Sequence, residues 1–391
     1  MGHRNRLAVL DGLRLCAALG VVAYHFTGFE PGVRKAWGVP ATTAFPGLTQ
    51  VTSYGWLGVE LFFLISGFVI CMSCWGRDAG AFFRSRVTRL FPAYWAAVAI
   101  TFTVVALFST EYRRVSLADA LLNLTMLQRP LGAASVDGVY WTLWVEACFY
   151  FLFAGVVWRG LTLHRVTVFC YLWLIAAVIA VPARTPLFST IVQPGWAPYF
   201  IAGIALYLIH RFGSDLKLWG LVGVCFAMAV HHVHGLALQV GREDLHRPLS
   251  PVPAVLAMAA FFAVLSAIAL GWLTWIRWRW LTTAGLLTYP LYLIHEFNGW
   301  VLIHALRDLV PRYVTLAVVT ATVLAGAWLL HHLIERPVSA FLRRQLTRRP
   351  QDLINQRRAP DPRDEKPRPR ADEKPRLRVP EQTPETTRPS A

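Results

Sequence analysis

The sequence predicts an all-α polytopic membrane protein with about ten transmembrane helices. Of its 391 residues, 55% are hydrophobic and only 15% are charged, which leaves too little charge for the polar surface of a soluble domain of this size. The apolar residues occur in blocks of about 20, the length that crosses a hydrocarbon core about 30 Å thick. Many of the 16 Trp residues lie near the ends of these blocks, as expected at a membrane interface.

Ten apolar segments are predicted to span the membrane, with boundaries placed to within a few residues. They are 10–29, 55–75, 92–109, 140–158, 166–182, 196–210, 217–234, 252–273, 281–304 and 313–334. The chain begins with a basic stretch and an apolar run, as a signal peptide does. Asp11 and Arg14 interrupt that run, so we expect it to stay in the membrane as the first span.

The distribution of Lys and Arg predicts a cell (plasma) membrane protein with both termini in the cytoplasm. Arg77, Arg84, Arg86 and Arg89 lie in one short loop that is then cytoplasmic, and an even number of spans places the basic C-terminal segment on the same side. The net charge of +16 is therefore explained by membrane topology. The expected partner is the lipid bilayer, and no nucleic acid is expected.

Two domains are predicted, a transmembrane domain over 1–345 and a cytoplasmic tail over 346–391. The tail is rich in Pro, Arg and Glu, and its Asp-Glu-Lys-Pro-Arg sequence at 364–368 recurs at 372–376. Such a segment buries too little apolar surface to offset chain entropy, so we expect it to be disordered. Contact with anionic lipid head groups and a simple solvated spacer are both open as roles for the tail.

Ionisable residues inside the predicted spans are candidates for function, because a charge in hydrocarbon is costly. His25, Glu60, Glu146 and His295 lie in the first, second, fourth and ninth spans. A helical rise of 1.5 Å per residue places all four about 20 Å from the cytoplasmic face. We therefore expect one buried polar layer, in which a carboxylate orients a His that takes a proton from a hydroxyl group.

Three arginines predict a site for an anion on the cytoplasmic side. Arg86 and Arg89 are three residues apart and share a helix face, and Arg14 lies on the same face of the first span as His25. Guanidinium groups match phosphate well, so a phosphate-bearing donor with a long arm, such as a CoA thioester, is expected to bind there and reach His25. The alternative is that Arg86 and Arg89 are ordinary cytoplasmic loop charge.

Six motifs, in order, resemble those of the acyltransferase-3 family of membrane O-acyltransferases over about residues 1–345. The motifs are Arg14 with His25, then 58–68, 86–95, 141–146 with Tyr150, 288–295 and 335–337. Two departures bear on the acceptor rather than on the reaction class. Ala147 follows Glu146 where the family often has a second acidic residue, and Glu296 follows His295 where many relatives have an aromatic residue.

The resemblance implies that acyl-CoA, expected to be acetyl-CoA, is a co-substrate loaded from the cytoplasm. The acceptor is expected to be a hydroxyl of a surface glycan, a lipid-linked sugar or a glycosylated metabolite. No permanently bound cofactor and no metal are expected. His25, oriented by Glu146 or Glu60, is predicted to deprotonate the acceptor for direct attack, with an acyl-His25 intermediate as the main variant.

Four further residues are predicted to contact the acceptor, namely Trp141, Tyr289, Tyr292 and His295. For His295, a catalytic role and a structural role are equally open. A different class of function, a proton-coupled transporter of a small polar or sugar-like solute, is the alternative, because buried His and Glu also transfer protons in transporters. The sequence shows neither an internal repeat nor paired broken spans, which many transporters have.

Overall fold

The computed structural model describes residues 7–109, 115–183, 185–245 and 247–347, and the regular structure there is helical, with no strand. The helices, numbered α1 to α17 in chain order, are Ala8–Ala23, Glu30–Trp37, Ala41–Ala44, Leu48–Thr52, Gly58–Cys74, Ala79–Phe108, Leu117–Asn123, Trp141–Trp158, Leu163–Ala183, Pro186–Val192, Ala197–Phe212, Leu216–Glu243, Pro251–Ala269, Arg279–Ile294, Glu296–Leu306, Arg312–Leu330 and Arg336–Thr347. The tail from 348 onward, predicted to be disordered, lies outside the described residues.

Nine helical segments in the described part of the chain are long and apolar enough to cross a membrane. They confirm the predicted fold class, a multi-pass helical membrane protein. The remaining predicted span, 281–304, forms two helices instead of one, since α14 ends at Ile294 and α15 begins at Glu296. The break falls at His295, which the sequence had placed inside a continuous helix.

The centre of the bundle is α11, in which every residue from Ala197 to Ile209 is buried. It packs most extensively against α5, and glycines allow the close approach of the two helices. A Cβ atom at Gly67 would overlap the carbonyl of Phe200, and one at Gly203 would overlap the carbonyl of Leu64. Peripheral helices turn apolar side chains outward, so these faces are suited to lipid rather than water.

The first span changes its winding where it presents His25. α1 ends at Ala23 and continues as a π-helical turn, Tyr24–Gly28, a feature often found at functional sites. Two indoles satisfy the carbonyls of this turn, since Trp300 Nε1 donates to the carbonyl of His25 at 2.8 Å and Trp37 Nε1 donates to that of Phe26 at 2.9 Å. These bonds fix the backbone that carries the imidazole.

The third span begins earlier than the sequence predicted. Its helix, α6, starts at Ala79 and contains Pro92, whereas the predicted span starts at 92. The Asp78 carboxylate caps the helix by accepting a hydrogen bond from Ala81 N at 2.8 Å. Arg86 and Arg89 therefore lie on the helix itself, one turn apart on the same face.

Candidate active site

Two neighbouring cavities lie between the central helices. The first, which we call the arginine cavity, has an empty volume of about 790 Å³. Three guanidinium groups line it, those of Arg14 on α1 and of Arg86 and Arg89 on α6, and Glu146 on α8 faces them. The remaining lining residues are Val59, Phe62, Phe63, Ser66, Ile70, Leu90, Thr142, Leu143, Tyr150, Gly285, Thr288, Tyr289 and Tyr292.

The second cavity, which we call the histidine cavity, has an empty volume of about 920 Å³ and contains His25 on its wall. Its other polar groups are mainly acidic, and much of the rest of its wall is aromatic. The lining residues besides His25 are Val21, Tyr24, Phe29, Trp56, Val59, Glu60, Gly138, Val139, Trp141, Trp196, Leu236, Val240, Asp244, Tyr292 and Glu296.

The two cavities meet at Val59 and Tyr292, which line both. The Tyr292 hydroxyl is held between the Thr142 hydroxyl at 2.9 Å and the Val139 carbonyl at 3.2 Å. A ligand that extended from the arginine cavity into the cavity of His25 would pass beside these two side chains.

The tautomers of the two histidines follow from their hydrogen bonds. His295 Nδ1 lies 2.9 Å from the Tyr292 carbonyl and 3.2 Å from that of Leu291, so it carries a proton. Its Nε2 therefore accepts from His25 Nδ1, 3.0 Å away, which also donates to the Val21 carbonyl at 3.0 Å. In the neutral His25 ring the remaining nitrogen, Nε2, keeps its lone pair free to accept a proton.

Glu296 is the carboxylate nearest to the free nitrogen of His25. Its Oε1 lies 3.6 Å from His25 Nε2, and its Oε2 has no hydrogen-bond partner in the described part of the chain. The carboxylate packs against Gly138, where a Cβ atom would come within 2.5 Å of Oε2. Glycine at 138 is therefore needed for the position of Glu296. In the sequence, Glu296 stands out only as a departure from a motif, and its contact with His25 was not predicted.

The Asp137 side chain links the start of α15 to the turn before α8 by hydrogen bonds. It accepts hydrogen bonds from Val139 N at 3.3 Å and from Phe297 N at 3.4 Å. The second of these bonds satisfies a backbone donor at the helix break beside His295. Asp137 is fully buried, and this burial raises the pKa of its carboxyl to about 6.

The structure corrects the predicted position of Glu146. The sequence placed it in one layer with His25, but its carboxylate faces the arginine cavity. Glu146 Oε1 accepts from the Tyr150 hydroxyl at 2.5 Å and from the Ser66 hydroxyl at 3.3 Å. Counting residues along a span gives depth but not direction, so it could not show which cavity this side chain faces. The role of orienting His25, predicted for Glu146 or Glu60, stays a prediction. Glu60 lines the same cavity as His25, and Glu296 lies nearest to the His25 Nε2.

The arginine cavity has more positive than negative charge. Arg86 is buried, and its Nε is buried with no hydrogen-bond partner among the described residues. Its guanidinium lies 5.8 Å from the centre of the Tyr150 ring. Arg89 is exposed at the edge of the same cavity. A buried guanidinium nitrogen without a partner, in a cavity lined by two further arginines, favours an anionic ligand, so these residues fit a phosphate-bearing molecule.

The four residues predicted to contact the acceptor occupy different places. Trp141 lines the histidine cavity as expected, and Tyr292 lies at the junction with its hydroxyl already engaged. Tyr289 lines the arginine cavity instead, and its hydroxyl donates to the Leu90 carbonyl at 3.0 Å. His295 is fully buried behind His25 and is not among the residues that line either cavity. Its contact is with His25 rather than with a ligand.

The fold and the paired cavities define a multi-pass membrane protein with a half-buried histidine, His25, next to a cationic pocket. A family model described as an acyltransferase domain, the acyltransferase-3 family, matches residues 7–332. The chain belongs to this family and is an acyltransferase. Family membership therefore favours the enzyme over the transporter that the sequence had left open.

Two relatives are similar over most of this chain. Acyltransferase MdmB of Streptomyces mycarofaciens is 28% identical over 383 residues, which cover 87% of this chain and 93% of that protein. Putative peptidoglycan O-acetyltransferase YrhL of Bacillus subtilis is 25% identical over 398 residues, which cover 89% of this chain and 57% of that protein. No solved structure matches the chain.

Proposed function

We propose that this protein transfers an acyl group, expected to be acetyl, from acyl-CoA to a hydroxyl group of a sugar-containing acceptor. The observation that supports this proposal most directly is the junction at Val59 and Tyr292, where a cationic cavity meets the cavity of His25. One cavity suits the donor and the other the acceptor. The name of the YrhL relative, an O-acetyltransferase, agrees with transfer to oxygen.

The arginine cavity would hold the donor. Arg14, Arg86 and Arg89 would bind CoA phosphates, since guanidinium groups pair with phosphate oxygens. The pantetheine arm would then extend past Val59 and Tyr292. We propose that this cavity lies on the cytoplasmic side of the plasma membrane, where CoA is available, because arginines at the end of a span favour that side.

His25 would act as the general base. The acceptor hydroxyl attacks the thioester carbonyl while His25 Nε2 takes the hydroxyl proton. The C–O bond forms and the C–S bond breaks, and the proton then passes from the imidazolium to the CoA thiolate. The products are the ester and free CoA, with no other reactant. Direct attack requires only this one proton acceptor, and an acyl-His25 intermediate is the variant.

Two neighbours would prepare His25 for this step. The Nε2 lone pair of His295 holds the proton of His25 on Nδ1, which leaves the other nitrogen basic. The Glu296 carboxyl, 3.6 Å from Nε2, would stabilise the imidazolium that forms. His295 is thus a positioning residue, whereas His25 contacts the reacting atoms.

Release of free CoA tests the function directly. The purified protein in nanodiscs would be given acetyl-CoA with and without a panel of glycoside acceptors, and free thiol and ester product would be measured together. Acceptor-dependent thiol release that matches ester formation supports the proposal. Thiol release that is independent of every acceptor, or no release from any short acyl-CoA by folded protein, would contradict it.

A further inference from the structure

The histidine cavity is strongly acidic. Glu60, Asp244 and Glu296 line it, and no Lys or Arg is among the described residues of its wall. The arginine cavity has the opposite balance, with three arginines and one glutamate. Glu296 faces His25 at 3.6 Å, and Asp244 accepts a hydrogen bond from the Tyr24 hydroxyl at 3.5 Å. A hydroxyl group of the acceptor gives no reason for the third carboxyl group, that of Glu60, because a buried carboxylate needs a compensating positive charge.

Glu60 provides the independent sign of a ligand. Its side chain is buried, with 1% exposure, and Oε2 has no hydrogen-bond partner in the described part of the chain. It lies in the first turn of α5, where the helix dipole favours a negative charge. Glu60 lines the cavity, and a buried carboxyl group with an oxygen that lacks a partner favours a ligand that brings a donor.

A metal ion does not account for these carboxyl groups. Within the described ranges, no group of three or more His, Cys, Asp or Glu side chains is placed to hold a metal. The compensating charge is then expected from an organic cation. Aromatic rings on the same wall, those of Tyr24, Trp56 and Trp196, suit this class of ligand, since ammonium groups bind over aromatic faces.

We propose that the acceptor bears a protonated amine and that Glu60 binds it, an inference that rests on the proposed function. The acceptor class is then an amino sugar or another amine-bearing glycoside. Asp244, whose carboxylate accepts a hydrogen bond from the Tyr24 hydroxyl at 3.5 Å, lines the same cavity. With the ammonium at Glu60, a hydroxyl of the same molecule is presented to His25.

The proposal also explains why the amine itself would escape acylation. An ammonium group has no lone pair, so it cannot attack a thioester while Glu60 keeps it protonated. The neighbouring hydroxyl, facing His25 Nε2, loses its proton to the base and becomes the nucleophile. Charge selection by Glu60 and proton removal by His25 thus separate the group that is recognised from the group that reacts.

Equilibrium binding to the protein in nanodiscs tests the inference without requiring chemistry. The probes are methyl β-D-glucoside, its four monoamino analogues with the amine at C2, C3, C4 or C6, and the N-acetyl form of each analogue, which occupies the same position without charge. Wild type, Glu60→Gln and a matched control, Glu243→Gln, would be compared by calorimetry. Glu243 is exposed near the end of α12 and does not line the cavity, so it receives the same change outside the site.

In wild type and in the Glu243→Gln control, at least one amine is expected to bind about tenfold more tightly than its own N-acetyl form and than methyl β-D-glucoside. This is the size of effect expected for a hydrogen bond to a charged group. Glu60→Gln is expected to remove most of this preference. Equal binding of amine and neutral probes, or binding of none, would overturn the inference, and the wild-type data alone decide this if the variant does not fold. Acyl transfer to neutral sugars only would refute an amine-bearing acceptor and leave the proposed acyl transfer intact.

Discussion

His295 Nε2 lies 3.0 Å from His25 Nδ1, and this contact joins the broken ninth span to the π-helical turn of the first. The contact sets which nitrogen of His25 is free, because His295 itself is held by two backbone carbonyls. Two segments far apart in the sequence thereby determine the tautomer of the His25 ring. The break in the helix at 295 and the π turn at 24–28 are both needed to bring the rings together.

Replacing His295 should reduce turnover without weakening substrate binding. In His295→Phe the acceptor of the His25 Nδ1 proton is lost, while the Val21 carbonyl still holds that proton. We expect kcat to fall by about tenfold to a hundredfold, with KM for both substrates nearly unchanged, as for loss of a partner that orients a histidine. His295→Gln, which keeps an acceptor, should recover part of the rate. An increase in KM with unchanged kcat would contradict a positioning role.

Gly138→Ala should act on the reaction through Glu296. The added Cβ would meet the Glu296 carboxylate, so the variant should lose the group that stabilises the His25 imidazolium. We expect both Gly138→Ala and Glu296→Gln to lower kcat by about tenfold or more, and the double variant to lose no more than the larger single effect. Gly155→Ala is the control, since a Cβ there meets nothing within 4 Å. Additive losses would show that Gly138 acts independently of Glu296.

Arg86 should be specific for the phosphates of the donor. Arg86→Ala is expected to raise KM for acetyl-CoA by about tenfold to a hundredfold, as for the loss of a charged hydrogen bond. Acetyl pantetheine, which lacks the nucleotide and its phosphates, should have the same KM with wild type and with Arg86→Ala. Arg84→Ala, on the same helix but outside the cavity wall, should leave KM unchanged. Equal loss with both donors would assign Arg86 to the fold rather than to CoA.

Asp137 should make the protein less stable as the pH rises. Burial raises its pKa to about 6 in the folded state, above the value of about 3.9 in an unfolded chain. The folded state therefore favours the protonated form, and the stability that this provides is complete below pH 4 and is lost as the pH rises through 6. The melting temperature of wild type should fall from pH 4.5 to pH 7 by more than that of Asp137→Asn. Parallel curves for the two proteins would refute this account.

The sequence predicted the fold class because a membrane-spanning helix can be recognised from about 20 consecutive apolar residues alone. It also predicted that Arg86 and Arg89 share a helix face, since they are three residues apart on one helix. Both line a single cavity together with Arg14 of α1, and that meeting of two helices does not follow from spacing along either of them.

The division into two cavities could not be predicted in the same way. Depth places Glu60 and Glu146 at one level, but the rotation of each helix about its axis turns them into different cavities. The contact of Glu296 with His25 was missed for a related reason, because the side chains of residues 295 and 296 point about 100° apart in a continuous helix. The break at 295 depends on tertiary contacts, such as the hydrogen bond from Phe297 N to Asp137, that no local pattern records.

Comparison of wild type with His25→Ala tests the central claim most directly. Ester product would be measured by mass spectrometry in nanodiscs that contain acetyl-CoA and an acceptor that wild type uses, with His164→Ala, an exposed histidine, as the control. We predict that the control retains its activity and that His25→Ala loses at least about a hundredfold in rate, as for removal of a general base, while it still binds CoA. Ester formation at the wild-type rate by His25→Ala would contradict the account.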